Sequence, residues 1–317
     1  SQILRAMQDS QIVLASNAPK GTQLKLLLML ENKQMLYFKP RRYSLDHVIN
    51  GNIYAGFDRH NSEVFAYYLA FVMNFTWIAP AVIRKVNIKK TILPVASLEL
   101  RETMIRISGS IPDNGSLCIY GKCFYCKIDK FVCEDSNGEL EGAAILYFDK
   151  QFKTYSHPWK RSYNNKPKPW EKDVYYCKKI KQNTSLDRLL DLIDVAIFDF
   201  LIQNGDRHHY EVYKNKILLL DNGKGLGNPD IDALDILAPL YQCCLLRYST
   251  WQQLELITGG SLTETISKLA AEQREHMITD NNLKAIQRRL LKVHATIQMC
   301  IGKFGRRRVF VNDIFDN

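Results

Sequence analysis

Eight cysteines constrain the fold of this 317-residue chain more than any other feature of its sequence. Four of them fall within sixteen residues, and the full set is Cys118, Cys123, Cys126, Cys133, Cys177, Cys243, Cys244 and Cys300. The CxxC pair is compatible with a zinc knuckle, but the flanking cysteines do not repeat a second knuckle. We therefore favour disulfides, which form in an oxidising compartment such as the secretory pathway.

Composition places the chain among globular proteins, with 46% hydrophobic and 24% charged residues, and its length predicts two lobes. The net charge of +10 favours anionic ligands. The basic clusters at 39–42 and 306–308 lack the interleaved aromatic residues of single-strand-binding surfaces, so we expect no nucleic-acid partner. We interpret the second cluster as solvated surface.

No uninterrupted apolar run, such as LLLML at 26–30, approaches the roughly 20 residues of a membrane-spanning helix. We therefore expect a soluble chain. No signal-peptide pattern follows Ser1, so we expect any signal peptide or membrane anchor to lie outside this sequence. Sequons at Asn74, Asn114 and Asn183 permit N-glycosylation.

Several segments of the N-terminal half predict regular elements. Residues 23–30 and 34–39 form a hairpin pattern around a short polar turn, and Lys39 ends its second strand. Residues 61–74 carry apolar side chains at helical spacing, with Asn61 or Ser62 as the expected N-cap. The Gly-, Asp- and Cys-rich region 108–142 is predicted to be irregular, and a strand follows at 143–148.

The second half begins with a polar stretch, 151–183, which is typical of a surface insertion or substrate-facing loop. Apolar residues at helical spacing then predict a buried helix over 186–203. The segment GDRHHYE follows at 205–211, and a strand is expected at 216–221. Two further helices are predicted at 262–277 and 281–303.

Two aspartates follow these elements at positions suited to phosphoryl transfer. Asp206 comes directly after the buried helix, and Asp221 ends the next predicted strand. Phosphoryl transfer needs one carboxylate to orient the attacking hydroxyl, another to hold metal on the phosphates, and a cation such as Lys39. Each aspartate alone would be an ordinary turn residue. Gly223 and Gly225 are expected to let the backbone turn sharply away from Asp221.

Four longer segments resemble the sequences of a known protein family. YAGFDRHNSEV at 54–64, IFDFLIQNGDRHHYE at 197–211, ILLLDNGKGLGN at 217–228 and ILAPLYQCC at 236–244 resemble the secretory-pathway kinase family that includes the Golgi casein kinase. Segments 21–25, 37–48 and 120–127 are most similar to the branch that phosphorylates xylose in the proteoglycan linkage region. The resemblance covers nearly the whole chain.

The resemblance implies an α+β, two-lobed, protein-kinase-like fold of the atypical kinase class with disulfide-stapled insertions. It implies an N-terminal lobe over 1–144 and a C-terminal lobe over 145–317. By similarity, Cys118 pairs with Cys133, Cys123 pairs with Cys126, and the other four cysteines form two bridges.

The resemblance also assigns roles in the site. Asp206 is the implied catalytic residue, and Asp58 and Asp221 are the implied ligands of a divalent metal, with Mn²⁺ favoured over Mg²⁺. Contacts to ATP are implied for Gln23, Lys39, Glu63, Ile145, Leu146, Tyr147, Phe148, Glu211 and Asp221. Glu63 is also the expected partner of Lys39, although a first-turn glutamate equally stabilises its helix through the dipole. His208 and His209 are interpreted as structural residues.

Three functions remain open at this point. The first is a kinase that uses ATP to phosphorylate xylose next to galactose in the linkage glycan. Such a kinase would work in the Golgi lumen, and its own full-length chain is expected to carry a type II membrane anchor. The second is a secretory serine kinase that acts on acidic motifs, and the third is a pseudokinase activator. Trp159, Tyr163 and Trp170 are candidates to stack on sugar, although tryptophans in such loops are equally typical of local packing.

Overall fold

The computed structural model describes residues 2–107, 115–164, 166–273 and 276–313. The sequon at Asn114 therefore lies outside the described residues. In chain order the strands are β1 Ile12–Asn17, β2 Leu26–Leu30, β3 Met35–Pro40, β4 Ala81–Asn87, β5 Met104–Ile107, β6 Ser116–Ile119, β7 Val132–Cys133, β8 Glu139–Leu146, β9 Lys153–Ser156, β10 His209–Tyr213, β11 Lys216–Leu218, β12 Leu246–Arg247 and β13 Phe310–Val311.

The helices flank these strands and dominate the second half of the chain. In order they are α1 Gln2–Asp9, α2 His60–Val72, α3 Leu98–Arg101, α4 Pro169–Lys172, α5 Tyr176–Asn183, α6 Leu186–Ile202, α7 Ala238–Cys243, α8 Tyr248–Leu256, α9 Ser261–Gln273, α10 Asp280–Phe304 and α11 Arg306–Val309. Sheets in the first half and helices in the second confirm the predicted α+β class.

An antiparallel five-stranded sheet in the order β1-β2-β3-β8-β4 forms the first half of the molecule. Successive side chains of a strand point to opposite faces. On β3, Leu36 and Phe38 are fully buried against β1, β2 and α1. Lys39 therefore points to the other face, where α2 packs.

Helix α6 is the centre of the second hydrophobic cluster. Ser185 caps it by accepting a hydrogen bond from the backbone N–H of Arg188, and Gln203 ends it in a left-handed conformation with φ 60°. Nearly every residue from Leu189 to Ile202 is buried. Burial of each large apolar side chain contributes about 1.5–3 kcal/mol, so α6 is a firm base for the loop that follows it.

Several sequence-based predictions are confirmed, including the hairpin β2–β3 and the helices α6, α9 and α10. The expected N-cap of α2 is wrong. Arg59 occupies that position, because the side chains of Asn61 and Ser62 donate instead to the carbonyl oxygens of Met277 and Asn222 at 3.0 and 2.7 Å.

The region predicted to be irregular contains strands β6 and β7, which form a three-stranded sheet with β5, and the bridge Cys118–Cys133 lies directly across the β6–β7 pair. The strand predicted at 143–148 begins and ends earlier, as β8, and the predicted strand 216–221 stops at Leu218. The proposed lobe boundary between residues 144 and 145 falls inside β8 and remains a proposal.

All eight cysteines are paired in disulfides. The bridges are Cys118–Cys133, Cys123–Cys126, Cys177–Cys243 and Cys244–Cys300. The last two tie α5 and α10 to the end of α7. Zinc coordination by these thiols is therefore excluded in this structure.

Among the described residues, no helix combines the length and the apolar character needed to cross a membrane.

Arg288 and Arg289 are neighbours on α10, and their replacement should lower the free energy of unfolding by different amounts. Arg289 is fully buried and donates to Asp232 Oδ1 at 2.9 Å and to the carbonyl oxygens of Leu201, Asn228 and Ile231. Arg289→Ala strands these acceptors, so we expect a loss of about 3–5 kcal/mol in the free energy of unfolding. Arg288 bonds the same carboxylate but is 42% exposed. Arg288→Ala should therefore lose about 1 kcal/mol or less in urea denaturation, and equal losses for the two variants would contradict the account.

Candidate active site

A lysine surrounded by three carboxylates forms the centre of the candidate site. Lys39 Nζ, at the end of β3, lies 2.9 Å from Asp58 Oδ2, 2.6 Å from Glu63 Oε1 and 2.6 Å from Asp221 Oδ1. Asp58 precedes α2, Glu63 lies in its first turn, and Asp221 comes from the far half of the chain. Four sequence-predicted site residues therefore meet at one point.

Electrostatic attraction holds Lys39, Asp58, Glu63 and Asp221 together, and we call these four residues the Lys39 group. Burial alone would lower the pKa of Lys39, but Asp221, Asp58 and Glu63 outweigh it and hold that pKa well above its usual value. Lys39 in turn holds the pKa of Asp221 well below its ordinary value, through its charge and its hydrogen bond. Lys39 and Asp221 are therefore both charged at neutral pH.

The carboxylates offer a fitting site for a divalent cation. The three carboxylates outnumber the two ammonium groups beside them, Lys39 and Lys224, and one oxygen of each carboxylate lies within 4.8 Å of the others. Hard divalent cations prefer such oxygen ligands. Asp58 and Glu63 are buried, whereas the Asp221 side chain is 74% exposed.

Asp206 lies in the loop after α6 and is held from two sides. Its backbone N–H donates to Asn204 Oδ1 at 3.2 Å, and Asn204 Nδ2 donates to the Asp221 carbonyl at 3.4 Å. The Tyr163 hydroxyl donates to Asp206 Oδ1. Burial raises the pKa of Asp206 above its ordinary value, while the Tyr163 hydrogen bond acts in the opposite direction. A carboxylate with a raised pKa is a better proton acceptor.

Arg207 fixes the loop from beneath. Its guanidinium pairs with Asp199 of α6, with Nη2 2.8 Å from Asp199 Oδ1, and donates to the Leu220 carbonyl and to Asn222 Oδ1, both at 2.8 Å. Asp199 and Arg207 are both buried. One side chain thereby joins α6, the Asp206 loop and the Asp221 segment.

The backbone around Asp221 differs from the sequence-based expectation. The left-handed residue is Asp221 itself, with φ 56°, and neither Gly223 nor Gly225 has a positive φ. These glycines are needed for close approach instead. A Cβ on Gly223 would lie 2.7 Å from Asp58 Cβ, and one on Gly225 would lie 2.4 Å from Ser62 Oγ.

The other residues assigned to the nucleotide lie in three further segments. Gln23 is half-buried in the loop before β2, and the loop side chain Lys25 extends over the Tyr37 ring at 4.8 Å. Ile145 and Leu146 end β8, followed by Tyr147 and Phe148; Phe148 is 37% exposed. Glu211 lies on β10 with Oε1 3.0 Å from His209 Nε2. In the described part of the chain, no hydrogen bond or ion pair joins Glu211 to the Lys39 group.

Sequence reasoning missed Lys224. Its Nζ donates to the Gly56 carbonyl and lies 3.8 Å from Asp58 Oδ1, and Asp206 is among the carboxylates that act on it. Burial lowers its pKa, and its side chain is only 11% exposed. Its place directly after Asp221-Asn222-Gly223 was the available signal.

The aromatic residues of the 151–183 segment divide into two groups. Trp159 and Trp170 are buried, and their indole N–H groups donate to Gln242 Oε1 and to the Lys160 carbonyl at 2.8 and 2.9 Å. They serve packing rather than sugar stacking. Tyr163 is half exposed and reaches the candidate catalytic carboxylate.

Comparisons with known sequences give a consistent family. A family profile described as Golgi casein kinase, C-terminal, Fam20 matches residues 1–309. A Drosophila melanogaster glycosaminoglycan xylosylkinase homolog is 46% identical over 306 residues, which cover 96% of this chain and 72% of the relative. The Homo sapiens glycosaminoglycan xylosylkinase is 41% identical over 323 residues, with 98% and 77% covered.

Solved structures agree with the sequences. The structure of hydra Fam20 with sugar superposes with a TM-score of 0.91 at 39% identity and covers 98% of this chain and 92% of its own. The Golgi casein kinase with Mn/ADP bound superposes with a TM-score of 0.90 at 28% identity, with 98% and 78% covered. The expected two-lobed, atypical kinase fold is thereby confirmed.

Removal of the Tyr163 hydroxyl should shift the pKa of Asp206. Its hydrogen bond favours the ionised carboxylate, so Tyr163→Phe should raise the pKa of Asp206 further. Carboxyl ¹³C NMR over a pH series would measure this, with Asp206→Asn identifying the resonance. Tyr54 packs on the Tyr163 ring at 4.7 Å and is the matched control. Tyr54→Phe should move the Asp206 pKa much less, and a fall in that pKa in Tyr163→Phe would contradict the assignment.

Proposed function

The chain belongs to the Fam20 family, and on that premise we propose that it is an ATP-dependent phosphotransferase whose acceptor is a xylose hydroxyl. The Lys39 group next to Asp206 carries the proposal of phosphoryl transfer, because it places a cation, metal-binding carboxylates and a proton acceptor in one cleft. The names of the two xylosylkinase relatives and the sugar-bound hydra structure support the acceptor.

ATP and Mn²⁺ are the proposed cofactors, supported by the related structure with Mn/ADP. Asp58 and Asp221 would hold the metal, and Glu63 completes the oxygen set that surrounds Lys39. A bound divalent cation supplies positive charge against the phosphate oxygens. Since Lys39 already neutralises part of the carboxylate charge, its ammonium is held where it can also contact phosphate.

Asp206 is the proposed catalytic residue. Its carboxylate would accept the proton of the attacking xylose hydroxyl and orient that hydroxyl toward the γ-phosphate. Asn204 and Arg207 hold the loop, so the carboxylate is positioned before substrate binds. The buried cation Lys224, between Asp58 and Asp206, would stabilise charge on the transferred phosphoryl group.

The remaining nucleotide contacts are proposals of the same kind. Gln23 in the loop before β2, Glu63 on α2 and Glu211 on β10 would contact ATP, and the segment from Ile145 to Phe148 would border the adenine. Tyr147 packs edge-on against Tyr37 at 5.1 Å, which makes this segment an apolar wall beside the cleft.

The surroundings of the xylose and the location of the reaction are proposals that the xylosylkinase relatives support. We propose that the xylose lies next to galactose in the linkage glycan of a proteoglycan and that the reaction occurs in the Golgi lumen. The four disulfides support an oxidising compartment. The basic surface, with a net charge of +10, suits acidic glycan attachments.

The acceptor can be tested directly. The purified chain with ATP and Mn²⁺ should phosphorylate a β-galactosyl-xyloside and leave an acidic serine peptide unmodified, as measured by mass spectrometry of both products. Phosphopeptide without phosphoxyloside would overturn the xylose proposal in favour of a serine kinase. No product from either acceptor, with nucleotide still bound, would favour the pseudokinase; the three carboxylates around Lys39 speak against that result.

Removal of the proton acceptor should separate catalysis from binding. Asp206→Asn keeps the shape of the side chain, so we expect a fall in kcat of about 10²–10⁴-fold with nearly unchanged Mn²⁺-ADP affinity in calorimetry. Asp230→Asn, at an exposed carboxylate in a loop beyond the cleft, is the matched control and should leave both quantities unchanged. Full activity in Asp206→Asn would refute the assigned role.

A further inference from the structure

A second cavity lies outside the catalytic cleft, where the turn after α2 meets α6 and α8. Its volume is about 420 Å³, within the usual range of small-ligand sites, and we call it the Asn74 cavity. Trp77 and Gln253 form part of its wall, and Asp191, Asp194 and Arg247 form part of its floor. A shallower depression over Gln252 and Leu256 adjoins it, and Asn74 borders both.

The floor of the Asn74 cavity is an ion cluster in which Asp191 pairs with Arg188 and Lys216 as well as with Arg247. Arg247 lies 2.8 Å from Asp191 Oδ1 and also pairs with Asp194, while Thr250 Oγ1 donates to Asp194 Oδ1 at 2.9 Å. The floor therefore offers polar atoms without a large net charge. Next to them, the half-buried Trp77 ring supplies an apolar surface. Hydroxyl-rich, uncharged molecules with an apolar face, such as sugars, match this lining.

Asn74 stands at the rim in a conformation suited to modification. It is an exposed, left-handed residue with φ 58°, two positions beyond the end of α2, and its backbone N–H donates to the Phe71 carbonyl at 3.1 Å. Asn74-Phe75-Thr76 is an N-glycosylation sequon, and Thr76 is also exposed. A glycan at this position would begin at the mouth of a cavity made for sugar.

We propose that Asn74 carries an N-linked glycan whose first sugars lie in the Asn74 cavity. In the modification, the Asn74 side-chain nitrogen loses a proton and bonds to C1 of N-acetylglucosamine. The bond from C1 to the pyrophosphate oxygen of a lipid-linked oligosaccharide donor breaks, and the lipid pyrophosphate leaves. The proposal needs only passage through an oxidising, glycosylating compartment and is independent of the acceptor used in the catalytic cleft.

Tethering favours the chain's own glycan over a free ligand. Covalent attachment at the rim makes docking intramolecular, with an effective concentration that a free sugar does not reach. The adjoining depression, where Leu256 is 72% exposed, continues the path beyond the cavity. Docked sugars would then join α8 to the turn after α2, where Gln253 Nε2 already donates to the Val72 carbonyl at 2.7 Å.

The test compares two glycosylation sites in one secreted protein. Asn183, at the end of α5, is exposed and lines no part of this cavity, so it is the matched control. Glycopeptide mass spectrometry should find Asn74 occupied. Peptide N-glycosidase should then release the Asn74 glycan from native protein at least about tenfold more slowly than the Asn183 glycan, equivalent to about 1.4 kcal/mol in favour of the docked state. Both should be released equally fast after denaturation.

Two cavity variants separate docking from simple crowding at the attachment site. Trp77→Ala removes the apolar wall, and Ser249→Tyr fills the cavity from its exposed edge. In each variant, the glycan at Asn74 should be released from native protein as fast as the glycan at Asn183. The Asn74→Gln protein should have a lower Tm than the wild-type glycoprotein and an unchanged kcat. An unmodified Asn74, or equal native release rates in the wild-type protein, would overturn the proposal.

Discussion

The buried pair between Arg207 and Asp199 is the interaction on which the arrangement of the active site depends. A buried charge is tolerable only when it is paired and hydrogen-bonded, and here every arm of the guanidinium is used. Asp199 belongs to the rigid helix α6, whereas Leu220 and Asn222 flank Asp221. The positions of Asp206 and Asp221 therefore both depend on helix α6, through the side chain of Arg207.

The Lys39 group has the opposite character, because it is electrostatically incomplete. Its three carboxylates outnumber the ammonium groups of Lys39 and Lys224, and its side chains come from three separate segments, with Lys39 and Asp221 separated by 182 positions in the sequence. Forming such contacts requires a long stretch of chain to be closed, which carries an entropic cost. The protein accepts this unfavourable local charge because a cation and phosphates can be bound there, a familiar conflict between stability and function.

Much of this was predictable from sequence where local pattern decides structure. Helix α6 has its own cap and apolar stripe, and the resemblance to a known family singled out Lys39, Asp58, Glu63 and Asp221, which the fold brings together. Tertiary contacts decided the rest. Asn61 and Ser62 were unavailable as caps because distant carbonyls use their side chains, and Gly223 is needed because Asp58 packs against it. Lys224 and the Tyr163–Asp206 contact likewise join segments that no local pattern connects.

The adjacent cysteines at the end of α7 impose an order on maturation. Cys243 faces α5, and Cys244, in a left-handed conformation with φ 46°, faces α10. The two thiols are directed apart only after α7 has formed and ended. Before α7 has formed, the thiols of Cys243 and Cys244 are adjacent in the chain and equally accessible, so Cys177 and Cys300 can pair with either one. Oxidation ahead of packing therefore gives mispaired chains that only thiol–disulfide exchange can repair, so the redox poise of the compartment sets the yield of active protein.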